Sequence, residues 1–481
     1  MIEFLILVVI YFAILLIIGL YARKKTSQSV EDYFVAGRTF GPIILFFTLA
    51  ATNFSAFTFL GFAGKSYQSG FGQYGIMAFG TGFMAITFYI IGRKVWVLGK
   101  KKGYVTPGEL VGSELNSTIL RLLFMGVMVV FTIPYLATQA IGAGFLISFV
   151  TDGQILWSVG AIITMIVILF YVLLGGMKGS GWTDAIQGCI MILSLTIAAV
   201  FIVISLGGFE TVNQLAYAKE PLLFSRPGGG GFFTSQLWFS FLLLWFFADP
   251  MFPQLFSRFY TAKDQRSLKA AMILYPLLVS FLFLIPVLIG IWAHGVSLSV
   301  SSDNVDMVLP MMVQQYTPSF VFLFVMIGAL AALMSTADSQ LLSLSSMLSR
   351  DVFKKDQKIS QITISRLIAV FLTVFAIVFV ILGYDPSVGI MGTLVKTTFP
   401  GLAVLFPTVI GVIYWKRVTE YGCIASILCG EIAVFIFEYQ MIPSFGFLSG
   451  IWGVGIAVIV LIVASLLSQK KKDHGLRTVA K

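Results

Sequence analysis

Apolar runs of about 17–25 residues follow one another along the chain, and the short stretches between them carry nearly all of its charge. Runs of that length are what a spanning helix needs, because roughly 20 residues at 1.5 Å each cross the hydrocarbon core of a bilayer. Thirteen such runs are present, at residues 4–20, 42–64, 75–92, 122–150, 155–174, 185–206, 236–256, 271–293, 321–346, 364–382, 389–414, 421–439 and 447–467. The pattern predicts an all-α integral membrane protein of about 13 transmembrane helices. Glu3 precedes the first run and Arg23, Lys24 and Lys25 follow it, the reverse of a signal peptide, so this helix is expected to be retained. The longest stretch of low hydrophobicity, 207–235, contains Pro227 and Gly228 to Gly231 and is expected to be a flexible loop.

Polar residues interrupt three of these runs. The ninth holds ALAALMSTADSQLLSLSS from Ala329 to Ser346, and lipid does not accept so many unpaired polar groups. Ala332, Ser335, Thr336, Ser339, Ser343 and Ser346 recur at three- and four-residue spacing and share one helix face. For Ser343 and Ser346, close helix packing is the favoured reading. The hydroxyls of Ser335 and Thr336 with the carbonyl of Ala332 make half of an all-oxygen shell of the kind a hard cation prefers. The second run carries Thr52, Asn53 and Ser55 at mid-depth, and the seventh carries Asp249, Pro250 and Pro253. Each proline removes a backbone donor and breaks the helical ladder. Runs two and seven lie five apart and cross in opposite directions. Runs two to six and seven to eleven therefore form two five-helix units of inverted topology, each opening with a broken helix. That arrangement points to a carrier whose solute and ions bind at the bilayer midplane, with carbonyls of the break supplying ion ligands. Two independently kinked helices are the competing reading.

Composition agrees with the pattern. Of 481 residues, 58% are hydrophobic and 11% charged, against roughly 25% charged in soluble domains. The net charge of +10 is a matter of topology. With the N-terminus outside and the C-terminus inside, every lysine and arginine falls on the cytoplasmic side except Lys65, Lys219, Arg226 and Lys396. No nucleic-acid partner is expected, and the lipid bilayer is. Lys470 to Lys472 act as a charge stop after the last helix. Cys189, Cys423 and Cys429 lie in apolar runs and read as inert packing residues. No catalytic cluster is present, so no enzyme activity and no cofactor are expected.

Five segments, taken together and in order, resemble the sodium/solute symporters, the family of sodium/proline, pantothenate, sugar and sialate transporters. They are Ala51 to Ser55, Ile133-Pro134-Tyr135 to Gln139, Gly175-Gly176 to Trp182 and Gln187, Pro253-Gln254 to Arg258-Phe259, and Ala332 to Ser339. The resemblance covers nearly the whole chain. It implies a leucine-transporter-type inverted-repeat fold of thirteen helices, N-terminus outside. It implies a single transmembrane transporter domain, 1–481, with core helices at about 42–414, peripheral helices at 4–20 and 421–467, and a cytoplasmic tail at 468–481. It implies a sodium site of the Ala51, Phe54 and Ala332 carbonyls with the Ser335 and Thr336 hydroxyls.

Asp184 has two readings, a helix N-cap or, by resemblance, a carboxylate on the sodium exit route that some members use in a second sodium site. Those members place a hydroxyl where this chain has Asp338, while Ser339 is kept, which leaves the second ion open. Asn53 stands where the sodium/proline members carry Asp, which argues against proline as the solute. The resemblance directs attention for the solute to Asn53, Phe57, Tyr135, Gln139, Trp245 and Asp249, with a core or interfacial-belt role competing for each aromatic. Lys396 either snorkels outward or stands as a fixed cation near the outer mouth that favours an anionic solute. The expected function is sodium-coupled import of a small organic solute, such as a carboxylate or amino acid, across the plasma membrane by alternating access. A proton-coupled carrier on the same fold, with Asp184 and Asp338 titrating, is the alternative, and a channel is a more distant one.

Overall fold

The computed structural model describes residues 2–27, 29–298, 300–353, 359–383, 390, 392 and 394–476. The predicted start of the eleventh run at Gly389, the loop lysines Lys354, Lys355 and Lys358, and residues 477–481 lie outside this set, as do the side chains of Lys470 to Lys472. The helices in chain order are α1 (Ile2–Lys25), α2 (Val30–Val35), α3 (Pro42–Asn53), α4 (Phe62–Ser69), α5 (Gly72–Lys102), α6 (Pro107–Glu114), α7 (Thr118–Val150), α8 (Trp157–Ser205), α9 (Phe209–Lys219), α10 (Ser235–Ala248), α11 (Pro253–Phe259), α12 (Gln265–Gly295), α13 (Val308–Tyr316), α14 (Ser319–Asp351), α15 (Gln361–Gly383), α16 (Phe399–Val404), α17 (Phe406–Tyr414), α18 (Glu420–Glu438) and α19 (Ser449–Leu476). Among the described residues, β-pairing is confined to one isolated bridge between Phe40 and Ala262.

Among the described residues, ten helices are individually long and apolar enough to cross a bilayer, and two bent pairs bring the number to twelve. One pair is Pro42–Asn53 with Phe57–Ser69, bent by 61°; the other is Ser235–Met251 with Pro253–Phe259, bent by 60°. The 49 residues of α8 would span about 73 Å if straight, more than twice the hydrocarbon thickness. Gly176 interrupts it with φ 53° and ψ −151°. A Cβ there would lie 2.9 Å from the Tyr33 carbonyl oxygen, so both conformation and space call for glycine.

The long α14 lies at the centre, packed by α7, α8, α11 and α15. Every residue from Ala329 to Ser346 is buried, so the polar stripe faces protein on all sides. Along its lower half, Ser345, Ser346 and Ser349 each bond a carbonyl three residues back, at 2.8–3.1 Å, the local pairing expected of serines used for packing. The surface carries the complementary pattern. Ile6, Ile10, Ile14 and Ile17 of α1, Phe371, Val374 and Val378 of α15, and Ile459 and Val463 of α19 are exposed, the apolar surface that a helix facing hydrocarbon needs.

One expectation needs correction. The stretch 207–235 is folded. It contains α9, whose Val212 and Ala216 are buried, and its Leu223 carbonyl accepts the Phe71 N–H at 2.7 Å. Arg226 stacks over Trp238 at 4.0 Å. The glycines there permit close approach, since a Cβ on Gly228 would meet the Ser69 carbonyl oxygen at 2.3 Å. The last apolar run matches a candidate span at Ser449–Gln469, and its helix continues through the basic residues to Leu476 because nothing in Gln469 to Asp473 stops a helix.

Candidate functional site

The break after α3 contains no proline, and its cause is competition for hydrogen bonds. In a continuous helix the N–H groups of Ser55, Ala56, Phe57 and Thr58 would bond the carbonyls of Ala51, Thr52, Asn53 and Phe54. They go elsewhere: Ser55 N–H to Thr58 Oγ1 (3.4 Å), Ala56 N–H to Gln139 Oε1 (3.0 Å), Phe57 N–H to Ser55 Oγ (3.2 Å) and Thr58 N–H to the Ser55 carbonyl (2.9 Å). Side chains of residues 55, 58 and 139 thus capture the donors, Phe54 turns to an extended conformation, and four carbonyls lose their helical partners.

α14 meets the freed carbonyls. Ser335 Oγ donates to the Ala51 carbonyl at 2.8 Å and lies 3.1 Å from that of Ala332. Thr336 Oγ1 lies 2.8 Å from the Phe54 carbonyl and 3.1 Å from that of Thr52. The five residues read from the sequence, Ala51, Phe54, Ala332, Ser335 and Thr336, therefore converge, all buried, with the Thr52 carbonyl as a sixth oxygen that sequence reasoning did not name. Uncharged oxygens held by a broken helix suit a hard monovalent cation, with the hydroxyls free to turn their lone pairs inward.

A charged cluster adjoins this shell. Asp184 is no N-cap: it lies inside the second half of α8, and its Oδ2 accepts from Thr48 Oγ1 and, at 3.0 Å, from Arg258 Nη2. The guanidinium also reaches Thr48 Oγ1 (2.8 Å), Ser180 Oγ (2.8 Å) and Ser339 Oγ (2.5 Å). Asp338 accepts from Ser180 Oγ at 3.1 Å and Ser339 Oγ at 2.9 Å. Asp184, Asp338, Ser339 and Arg258 have no solvent exposure. Thr52 joins the two groups: its carbonyl belongs to the oxygen shell, and its hydroxyl lies 3.0 Å from Ser339 Oγ. The sequence pointed to Asp184, Asp338 and Ser339 but gave Arg258 no role. It enters from α11, beyond the second break, a juxtaposition that no local pattern carries.

The second break follows from proline chemistry. Pro250 and Pro253 cannot donate to carbonyls four residues back, and the chain turns at Phe252, whose ψ is 125°. This sets Asp249 and Trp245 against the first break. The Phe57 and Trp245 rings lie 5.5 Å apart, and Phe399 lies 4.6 Å from Trp245 and 5.7 Å from Phe57. Tyr135 lies 5.6 Å from Phe252 and donates to Ser55 Oγ at 3.2 Å. Asn53 donates to Tyr275 Oη at 2.5 Å and faces Asp249. Among the described residues, Trp245 Nε1 and Asp249 Oδ1 are buried with no protein partner. Asn53, Phe57, Tyr135, Trp245 and Asp249 are thus brought together, joined by Phe252, Tyr275 and Phe399, which the sequence left unmarked. Gln139 is a brace for the break: besides holding Ala56 N–H, it donates to the Tyr135 carbonyl (3.1 Å) and Thr138 Oγ1 (3.2 Å). Lys396 stands apart, exposed and lining a separate cavity.

Two discontinuous helices, facing a central helix at a buried oxygen shell beside an aromatic pocket, define a multi-pass membrane transporter of the broken-helix class. The model of the sodium:solute symporter family matches residues 33–430, and the chain belongs to that family, which consists of transporters and not enzymes. A sodium/proline symporter of Staphylococcus aureus (strain bovine RF122 / ET3-1) is 26% identical over 97% of this chain and 93% of its own length. The uncharacterized symporter YhjB of Bacillus subtilis (strain 168) is 26% identical over 89% of this chain and 87% of its own. Among solved structures, a Na+-coupled sialic acid symporter in a substrate-bound outward-open state superimposes with a TM-score of 0.78 at 20% identity, covering 95% of this chain and 96% of that one. MHP1, a nucleobase-cation-symport-1 family transporter, gives 0.61 at 13% identity, covering 91% and 95%. These likenesses show the fold.

Proposed function

We propose that the chain is a sodium-coupled symporter that imports a small organic solute across a plasma membrane by alternating access. The observation that carries this is the convergence of the Ala51, Phe54 and Ala332 carbonyls with the Ser335 and Thr336 hydroxyls at the α3 break. Sodium is a transported ion held there, and the solute binds next to it among Asn53, Phe57, Tyr135, Trp245 and Asp249. Trp245 Nε1 and Asp249 Oδ1 are the polar groups left for it to engage. Because α3 contributes to both sites, each ligand favours the arrangement the other needs, and the coupling is reciprocal. The membrane potential adds about 2.3 kcal/mol per charge per 100 mV to the drive.

In this reading the protein is one transporter domain. Its five-plus-five inverted-repeat core spans about 42–414, and the helices at 4–20 and 421–467 are peripheral. Dividing α8 at Gly176, beside the helices and bent pairs, supports a count of thirteen crossings, and the distribution of lysine and arginine supports the N-terminus outside. Asp184, Asp338 and Ser339 lie on the inner exit route. Arg258 pairs with Asp184, and Asp338 meets the guanidinium only through Ser180 and Ser339, so a proton or a second monovalent cation balances the second carboxylate. The engagement of Asp184 by Arg258 favours sodium over a proton as the ion driving uptake. Solute uptake into proteoliposomes, with and without a sodium gradient at fixed pH, tests the proposal. Uptake must need sodium; uptake driven by a pH gradient alone, indifferent to sodium, supports the proton-coupled carrier instead.

A further inference from the structure

One cavity of about 360 Å³ is lined by two lysines that the sodium and solute sites do not use. Lys65 of α4 and Lys396 both line it, with Asp306, Glu438, Phe232 and Phe241. Its volume falls in the range of small-molecule sites. Phe241 stacks on Trp245 at 6.2 Å and 20°, so the cavity is one aromatic layer away from the proposed solute pocket. The lysines and the carboxylates in it are not paired with each other. Asp306 accepts the Ile390 N–H at 2.9 Å, and Glu438 accepts the Ser449 hydroxyl at 2.7 Å. Lys65 Nζ sits over the Phe232 ring at 3.5 Å, an attraction weaker than an ion pair in such a setting. Among the described residues, neither ammonium takes part in an ion pair. Asp306 and Glu438 thus each accept a protein hydrogen bond, whereas among the described residues no carboxylate pairs with either lysine, an asymmetry that favours an anionic ligand.

We propose that this cavity is an outer capture site for a carboxylate-bearing solute, whose oxygens bridge Lys65 and Lys396 while its apolar part lies on Phe232 and Phe241. The inference rests on the reading of the chain as a solute importer and deepens it, because it fixes the solute class as a carboxylate. Capture before the aromatic layer raises the local solute concentration at the pocket, the usual benefit of a charged mouth.

The test uses the purified full chain in sodium chloride, with thermal unfolding followed against acetate, pyruvate, L-proline and glucose. At least one of the three carboxylates is expected to raise the Tm saturably, and glucose is not. In Lys65→Gln/Lys396→Gln its half-saturating concentration rises about tenfold, and Lys65→Arg/Lys396→Arg restores it, while the half-saturation for sodium alone stays at the wild-type value. An unchanged half-saturation in the glutamine variant, a shift from glucose equal to that from the carboxylates, or no shift from any carboxylate overturns the proposal. Failure of the importer reading looks different: sodium then stabilises the wild-type protein no more than choline does.

Discussion

Replacing Gln139 by Leu separates a brace from a solute contact. Gln139 Oε1 is the acceptor for Ala56 N–H at 3.0 Å, and both residues are fully buried. Leucine keeps most of the volume and removes the acceptor. The orphaned N–H then costs about 1–3 kcal/mol, and the nearest relief is the helical bond from Ala56 N–H back to the Thr52 carbonyl. That straightens the break and draws the Thr52 and Ala51 carbonyls away from Ser335 and Thr336. If about half of this cost, about 0.5–1.5 kcal/mol, falls on the sodium-bound arrangement, sodium affinity drops roughly two- to twelvefold, since 1.4 kcal/mol is a factor of ten. Gln139→Glu keeps an acceptor for Ala56 but loses the donors to the Tyr135 carbonyl and Thr138 Oγ1, so its loss is smaller. The assay is thermal unfolding of purified protein against sodium chloride, with choline chloride holding ionic strength constant; no solute is needed. Sodium half-saturation within twofold of wild type in Gln139→Leu, accompanied by weaker solute binding, would refute the brace and return Gln139 to the solute site.

Three further outcomes follow from the geometry. Arg258→Met leaves the Asp184 and Asp338 carboxylates buried without their cation and is expected to cost about 3–5 kcal/mol; adding Asp184→Asn recovers part of the loss, and additive effects in thermal unfolding of the double variant would count against direct pairing. Gly176→Ala places a Cβ 2.9 Å from the Tyr33 carbonyl at positive φ, so the folded state loses about 1–2 kcal/mol or more, read as a lower Tm; a variant as stable as wild type would show that α8 does not need this break. For Asp32, outside the spanning helices, burial pushes the carboxyl upward, but the Lys178 ammonium at 2.5 Å and the Ser27 N–H outweigh it and hold the group below the usual 3.8. With a depressed folded-state value, its contribution is present above pH 3.8 and fades as the pH falls through the folded-state value, so Asp32→Asn must flatten this part of the acid-stability profile.

The sequence made some features of this site plain and concealed others, for physical reasons. Pro250 and Pro253 announce the second break because a missing N–H is a local property. The first break was legible only as Thr52, Asn53 and Ser55 in an apolar run, because its cause includes Gln139, which reaches Ala56 from another helix. The face shared by Ser335 and Thr336 is readable from helical spacing, but what it faces is not; Ala51 and Phe54 came from family resemblance, and the Thr52 carbonyl from geometry alone. Arg258, Tyr275 and Phe399 were missed because each enters from a helix far away in sequence, with nothing local to mark it. Asp184 allowed an N-cap reading because α8 contains a break, but the break falls eight residues earlier, at Gly176, and leaves the carboxylate mid-helix. Lys396 was legible as a cation near the outer mouth, but Lys65, which lines the same cavity from far away in sequence, was not.

The central claim is that the α3 break and α14 together hold sodium, and stabilisation by sodium in the absence of solute addresses it most directly. A ligand at one hundred times its Kd stabilises the folded state by about 2.7 kcal/mol. Wild type is therefore expected to unfold at a saturably higher Tm in sodium chloride than in choline chloride, and Ser335→Ala/Thr336→Ala to show the same Tm in both salts. A double variant that keeps wild-type sodium stabilisation and half-saturation would contradict the account.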